Sequence, residues 1–184
     1  MSKVAIVGDP SGTGTFTISA PNGNTDRTLV LPDEAGTIIT TAGVPASAMP
    51  AGSVIQVVQA EHIGNTITSS TSFVNTPLAV TITPTSSTSK IYIIASGGLD
   101  NNGSGNSGYV TIDRNGTNLG NGTSGFTYIF NTYRLLTPWS VTFLDTPSTT
   151  SALTYTIQIR ATSGSIEFPG TQQNKIIIAM EIAG

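Results

Sequence analysis

From Ser53 to the C-terminus the chain is written in short runs of β-branched and aromatic residues, each closed by turn residues. No stretch there carries the 3.6-residue period of an amphipathic helix. The runs are Val54–Ala60, Ile63–Thr68, Leu78–Thr83, Lys90–Ser96, Tyr109–Asp113, Phe126–Asn131, Ser140–Leu144, Tyr155–Ala161, Ser165–Phe168 and Ile176–Ile182. Between them stand Thr83-Pro84, Asn115-Gly116, Asp145–Thr149, Ser163-Gly164 and Pro169-Gly170. Many short strands punctuated this way, with no helices, specify an all-β antiparallel sandwich or jelly roll. Asn115-Gly116, between Ile112 and Leu119, is the strongest hairpin signal, because both residues accept positive φ.

Two runs break the alternation that an antiparallel sheet with one wet face should show. In KIYIIA (residues 90–95) and KIIIAMEIA (residues 175–183) neither register leaves a polar side. A strand apolar on both faces lies under a second layer, and another subunit can be that layer. Ile176, Ile178, Met180 and Ile182 are therefore the candidate interface, and the head is expected to be homotrimeric once the resemblance described below is added. Charge points the same way. Charged residues make up 9% of the chain, against roughly 25% in an ordinary soluble domain. The chain has no cysteine, so stability must come from packing or oligomerisation rather than disulfides.

The first 41 residues read differently. KVAIVGDPSGTGT is an apolar run feeding a glycine-rich loop, as phosphate-binding folds begin. No helix follows and no Lys-Ser/Thr pair closes the loop; TFTISA instead alternates as a strand does, so the loop is a hairpin connection. With RTLVL and TIITT, residues 1–41 are expected to hold four short strands, too few to bury a core alone. AGVPASAMPAG (residues 42–52) is a Pro/Ala linker, and residues 53–184 form the head.

Little points to chemistry. The net charge is −3 and the seven basic residues are scattered, which excludes a nucleic-acid face. No apolar run reaches the ~20 residues of a membrane-spanning helix, and no signal peptide opens the chain. His62, the single histidine, reads as a strand-end residue with a solvated ring. Asp33-Glu34 is the one adjacent acidic pair and reads as a turn, whereas a glycosidase needs two carboxylates about 5–10 Å apart in a cleft. DNNGSGN (residues 100–106) is oxygen-rich but lacks the alternate acids and closing Glu of a calcium loop. No cofactor, metal or catalytic residue is expected. Phe126, Tyr128 and Phe130 share one strand face, expected to be core or subunit interface. Trp139 reads either as core, given Leu135, Leu136 and Pro138 around it, or as a stacking platform beside Tyr133 and Arg134.

Three stretches resemble a module of virion proteins from tailed bacteriophages, especially those infecting cyanobacteria and marine bacteria. GTGTFTISAPNGNTDRTLVLPDEAGTI is similar to the short β segment that recurs in phage fibre proteins. GSVIQVVQA with VTITPTSSTSKIYIIAS resembles the start of their C-terminal head, and FLDTPSTTSALTYTIQIRATSG with IIIAMEIAG resembles its end. The resemblance implies a trimeric jelly-roll head above an intertwined segment, made in the host cytoplasm and carried on the virion surface. Only about fifty residues precede the head. That favours a short knob or decoration over a long tail fibre. The expected partners are further copies of the chain, a capsid or tail protein bound through residues 1–41, and, in a rival reading as a receptor-binding tip, a host-surface glycan or protein. For that tip the candidate contacts are Asp100, Asn101, Asn102, Tyr133, Arg134 and Trp139, on two loops rich in amide and aromatic side chains. A small polysaccharide depolymerase is the third and weakest reading.

Overall fold

In a computed structural model, residues 10–15, 17, 22–24, 26, 28, 44–45, 48–102, 106–170 and 173–184 are described. The strands expected over residues 1–41 therefore fall largely outside the described residues. The chain divides into two compact units, Met1–Ile38 and Ile39–Gly184.

The second unit is all-β and antiparallel, as the run lengths require. In chain order the strands are β1 (Val54–His62), β2 (Thr66–Thr68), β3 (Val74–Ile82), β4 (Lys90–Asp100), β5 (Asn106–Arg114) and β6 (Thr117–Asn118). They continue as β7 (Thr127–Asn131), β8 (Leu136–Asp145), β9 (Leu153–Ala161), β10 (Ile166–Phe168) and β11 (Lys175–Ile182). Ten of these lie where the sequence placed a run. The eleventh, β6, is the far arm of the Asn115-Gly116 hairpin, whose turn residues have φ of 49° and 88°.

Two sheets form. In the first, β1, β11 and β4 lie side by side, β8 pairs with the other edge of β4, and β10 meets β4 only at Glu167–Asp100 before pairing with β2. In the second, β3, β9 and β5 run in order, and β6 and β7 both pair with β5. Their facing sides enclose one core. β4 supplies Ile91, Ile93 and Leu99, β11 supplies Ile177 and Ala179, and β8 supplies Trp139 and Val141. From the second sheet come Leu78, Val80 and Ile82 of β3, Val110 and Ile112 of β5, and Leu153, Tyr155, Ile157 and Ile159 of β9. Each such side chain contributes about 1.5–3 kcal/mol by leaving water.

Polar ties cross between the sheets. Asp145 at the end of β8 accepts 2.7 Å bonds from Arg114 Nη1 on β5 and from the Tyr155 hydroxyl on β9. Burial, and then that carboxylate, push the Tyr155 hydroxyl well above its ordinary value of 10.0. Glu181 of β11 is likewise buried. Burial pushes its carboxyl up, but hydrogen bonds from Gln56 Nε2 at 2.6 Å and from Thr85 N and Oγ1 at 2.7 Å outweigh it and hold the group below 4.5. The C-terminal part of the 42–52 stretch joins this unit: Gly52 N donates to Ala183 O and Ala183 N donates to Ser53 O, both at 2.8 Å.

Candidate functional site

The sandwich leaves two outer faces, and their chemistry is opposite. On the first sheet β11 does alternate: Lys175, Ile177, Ala179 and Glu181 point into the core, while Ile176, Ile178, Met180 and Ile182 stand half-buried on the outside. The four candidate interface residues thus share one face. Register extends them into rows. Val57 lies opposite Met180, Met180 opposite Tyr92, and Tyr92 opposite Leu144, so one apolar rung crosses β1, β11, β4 and β8. The next rung reads Gln59, Ile178, Ile94, Thr142. At the rims, Val57 is 57% and Leu144 48% exposed.

The candidate contact residues gather at one end of β4, but mostly as braces. Asp100 is buried; it accepts from Asn102 N at 2.8 Å and Arg134 Nε at 2.9 Å. Fully buried Asn101 donates to Asn131 O and Tyr133 O and accepts from Leu135 N, fixing the 131–135 loop. Asn102 donates to Ser165 Oγ at 3.2 Å. These amides and the carboxylate are occupied inside the fold, which corrects the expectation that Asp100 and Asn101 face a receptor. The salt bridge to Asp100 holds the Arg134 guanidinium above its ordinary value, by hydrogen bond first and charge second. Arg134 and Tyr133, the latter 78% exposed, remain at the surface. Trp139 takes the core reading, not the contact given to it in a receptor-binding tip. It lies within β8 opposite Gly97, only 6% exposed, with its ring stacked 6.0 Å from Phe168, so it presents no face outward. Its Nε1 is buried without a partner.

The outer face of the second sheet carries what sequence reading missed. Tyr128 and Phe130 of β7, expected in a core or interface, stand 61% and 60% exposed. Phe126 alone turns inward, its ring edge-on to Phe143 at 5.3 Å. Between them and the preceding loop sits Gly125, φ 62°, where a Cβ would come within 2.4 Å of Val110 O. Tyr109 of β5 is opposite both Tyr128 of β7 and Arg160 of β9. The two tyrosine rings stack at 5.5 Å, and the Arg160 guanidinium carbon lies 4.1 Å from the Tyr109 ring centre and 5.4 Å from that of Phe73. A signal for Arg160 was present: LTYTIQIRA alternates strictly, and Arg160 falls in its polar phase. The pairing that sets it between aromatic rings is not local, so no reading of one strand reveals it.

The Asp33-Glu34 pair lies outside the described residues, and among the described ones several acids are held inside the fold. Asp113 accepts from Gly116 N at 2.8 Å, whereas Asp145 is held by Arg114 and Tyr155. His62 is half-buried rather than fully solvated, with its Nε2 shielded from water beside Gly64. Opposite His62 in the ladder, Lys175 is buried, donates to Pro169 O and Gly64 O, and sits 4.9 Å over Phe168; burial lowers its ammonium below 10.5. Among the described residues no group of three or more His, Cys, Asp or Glu could hold a metal ion, and no helix is long and apolar enough to cross a membrane. No protein-family model matches the chain, and no curated protein matches it significantly.

Proposed function

We propose that the chain is a non-enzymatic structural subunit of a tailed-phage particle, a homotrimeric knob or short fibre on capsid or tail. The observation that carries this reading is the apolar rung Val57–Met180–Tyr92–Leu144 on the outer face of the first sheet, with Ile178 and Ile94 beside it. Lone soluble subunits seldom expose contiguous apolar patches of this kind, and an antiparallel sheet facing water carries polar residues there. Another copy of the chain is the natural cover, because the middle rungs of this face carry no charge and Glu61 and Lys90 stand only at its two ends, opposite Ile176 and Ile182. The resemblance of Gly12–Ile38, Gly52–Ala60, Val80–Ser96 and Phe143–Gly164 to phage fibre segments supports the particle and the three-fold assembly. In this reading residues 1–41 attach the head to the virion.

Light scattering on the purified chain tests the assembly, with a trimer expected; a monodisperse folded monomer refutes it. Deleting residues 1–50 tests the attachment. The head should stay folded and fail to enter virions, and a truncated head that still assembles on particles lacking the native protein removes the attachment role.

A further inference from the structure

The second sheet's outer face has a cation that no carboxylate among the described residues pairs with. Arg160 is pinned by bonds from Nε and Nη2 to Thr123 O and from Nη1 to Thr71 O, while Tyr109 and Phe73 flank its guanidinium. Among the described residues the ion pairs join Arg114 to Asp145 and Arg134 to Asp100 and Glu167; none reaches Arg160. Three of its five N–H groups are used, which leaves one on each terminal nitrogen. Arg160 helps line a cavity of about 280 Å³ with Phe73 and the hydroxyl-bearing Thr71, Ser72 and Thr123. Beyond Tyr109, which lies between Arg160 and Tyr128, exposed aromatic surface continues on β7 with Tyr128 and Phe130.

We propose that this face binds an acidic glycan, with a sugar carboxylate on Arg160 and neighbouring rings stacked on Tyr128 and Phe130. A planar guanidinium fork matches a carboxylate in two parallel bonds, which a hydroxyl does not exploit. Sugar rings combine an apolar C–H face with a rim of hydroxyls. They suit a surface where tyrosine rings adjoin amide and hydroxyl side chains, here the hydrogen-bonded pair Gln158–Asn75 one step along from Arg160. In a chain of net charge −3, an anion is favoured where an unneutralised arginine is held in place. A protein partner fits less well, because the surroundings are Thr, Ser, Asn and Gln rather than aliphatic. The inference requires neither the trimer nor the virion.

The test is titration of the full-length protein with oligogalacturonate and with its methyl ester, followed by isothermal calorimetry. The acid should bind and the ester should bind at least about tenfold more weakly, since a charge-assisted bidentate pair is lost. Arg160→Gln should weaken binding of the acid about tenfold or more. Tyr128→Ala, at an exposed position that leaves the fold intact, should do the same through lost stacking. The proposal is overturned if the acid does not bind, if acid and ester bind equally, or if both variants bind as the native protein does. It is also overturned if Tyr128→Ala changes the oligomeric state, which makes the face an interface between copies. Light scattering on the same samples reads assembly separately, so loss of the glycan site and loss of the trimer are distinguishable.

Discussion

The two outer faces of the sandwich are built on the same strand geometry and carry different side chains. On the first sheet, Val57, Met180, Tyr92, Leu144, Ile178 and Ile94 form aliphatic-rich rungs interrupted by small hydroxyls. On the second, tyrosines and an arginine stack in a row beside Asn75, Gln158, Thr154 and Thr81, the last two sharing a 2.9 Å hydroxyl contact. An aliphatic rung gains free energy only when water leaves, which demands a broad covering surface. An aromatic ring beside an amide gains from a small ligand that stacks and hydrogen-bonds at once. One face is therefore suited to another subunit and the other to a sugar, and mutations can separate the two.

The largest loss of fold stability is expected from the interior that both faces share. Asp145→Ala strips the partner from half-buried Arg114 and from the buried Tyr155 hydroxyl and should cost about 3 kcal/mol or more, since both groups lose their hydrogen bonds at once. Denaturant melts measure it. A cost below about 1 kcal/mol contradicts the view that this carboxylate ties the sheets together.

Trp139→Ala comes next, at about 3 kcal/mol or more, as for large-to-small changes in packed cores. Glycan binding by the surviving folded fraction should be unchanged. A normal melting curve with impaired binding would place the Trp139 ring at the surface instead of in the core.

These two residues also mark what the sequence could and could not convey. Strand existence was legible because Val, Ile, Thr and Tyr recur between turn residues, and Asn115-Gly116 fixed its hairpin through a local backbone requirement. The outward row Ile176, Ile178, Met180, Ile182 was legible because period two groups alternate residues whichever way the strand faces. Trp139 was half legible: Leu135, Leu136 and Pro138 gave it apolar company, but the run was expected to start only at Ser140. β8 starts at Leu136 and tolerates Pro138 because among the described residues that strand pairs with β4 alone and leaves an edge free. Phe126, Tyr128 and Phe130 were expected together in a core or a subunit interface, yet the chain turns at Gly125 and within one subunit only Phe126 of the three packs into the core. The row Tyr128–Tyr109–Arg160 depends on pairing strands distant in sequence, which no local pattern encodes.

The third prediction splits one strand by face. Ile178→Asp should abolish the assembled form while costing the single subunit only about 1 kcal/mol, because the new carboxylate can reach water once the copies part. Ile177→Asp, one residue away and fully buried, should leave no folded protein. If Ile178→Asp still assembles as the native chain does, the first sheet's outer face is not the subunit contact.

Acid provides a smaller probe of the same strand that is independent of assembly. Glu181 points inward from β11, and its carboxyl is held below the unfolded value of 4.5. The unfolded chain takes up that proton first, so the stabilisation from Glu181 is complete above 4.5 and fades as pH falls through the lower folded value. Glu181→Gln should therefore flatten the acid limb of a stability–pH curve without moving the oligomer. An unchanged acid limb would show that Gln56 and Thr85 do not stabilise the charged form.

The smallest effect on folding is expected at Tyr128. Its ring stacks on Tyr109 at 5.5 Å but is 61% exposed, so Tyr128→Ala removes one aromatic contact and little buried area. A loss of about 0.5–1 kcal/mol is expected, the range of such pairs beyond area burial. Assembly should be untouched, since the residue lies on the second sheet. The contrast with Ile178→Asp is then complete: one variant loses subunits and keeps the sugar site, the other keeps subunits and loses the site. A Tyr128→Ala protein that melts several kcal/mol less stably would mean that its ring is covered, placing a second protein surface over the aromatic row and removing the distinction between the two faces.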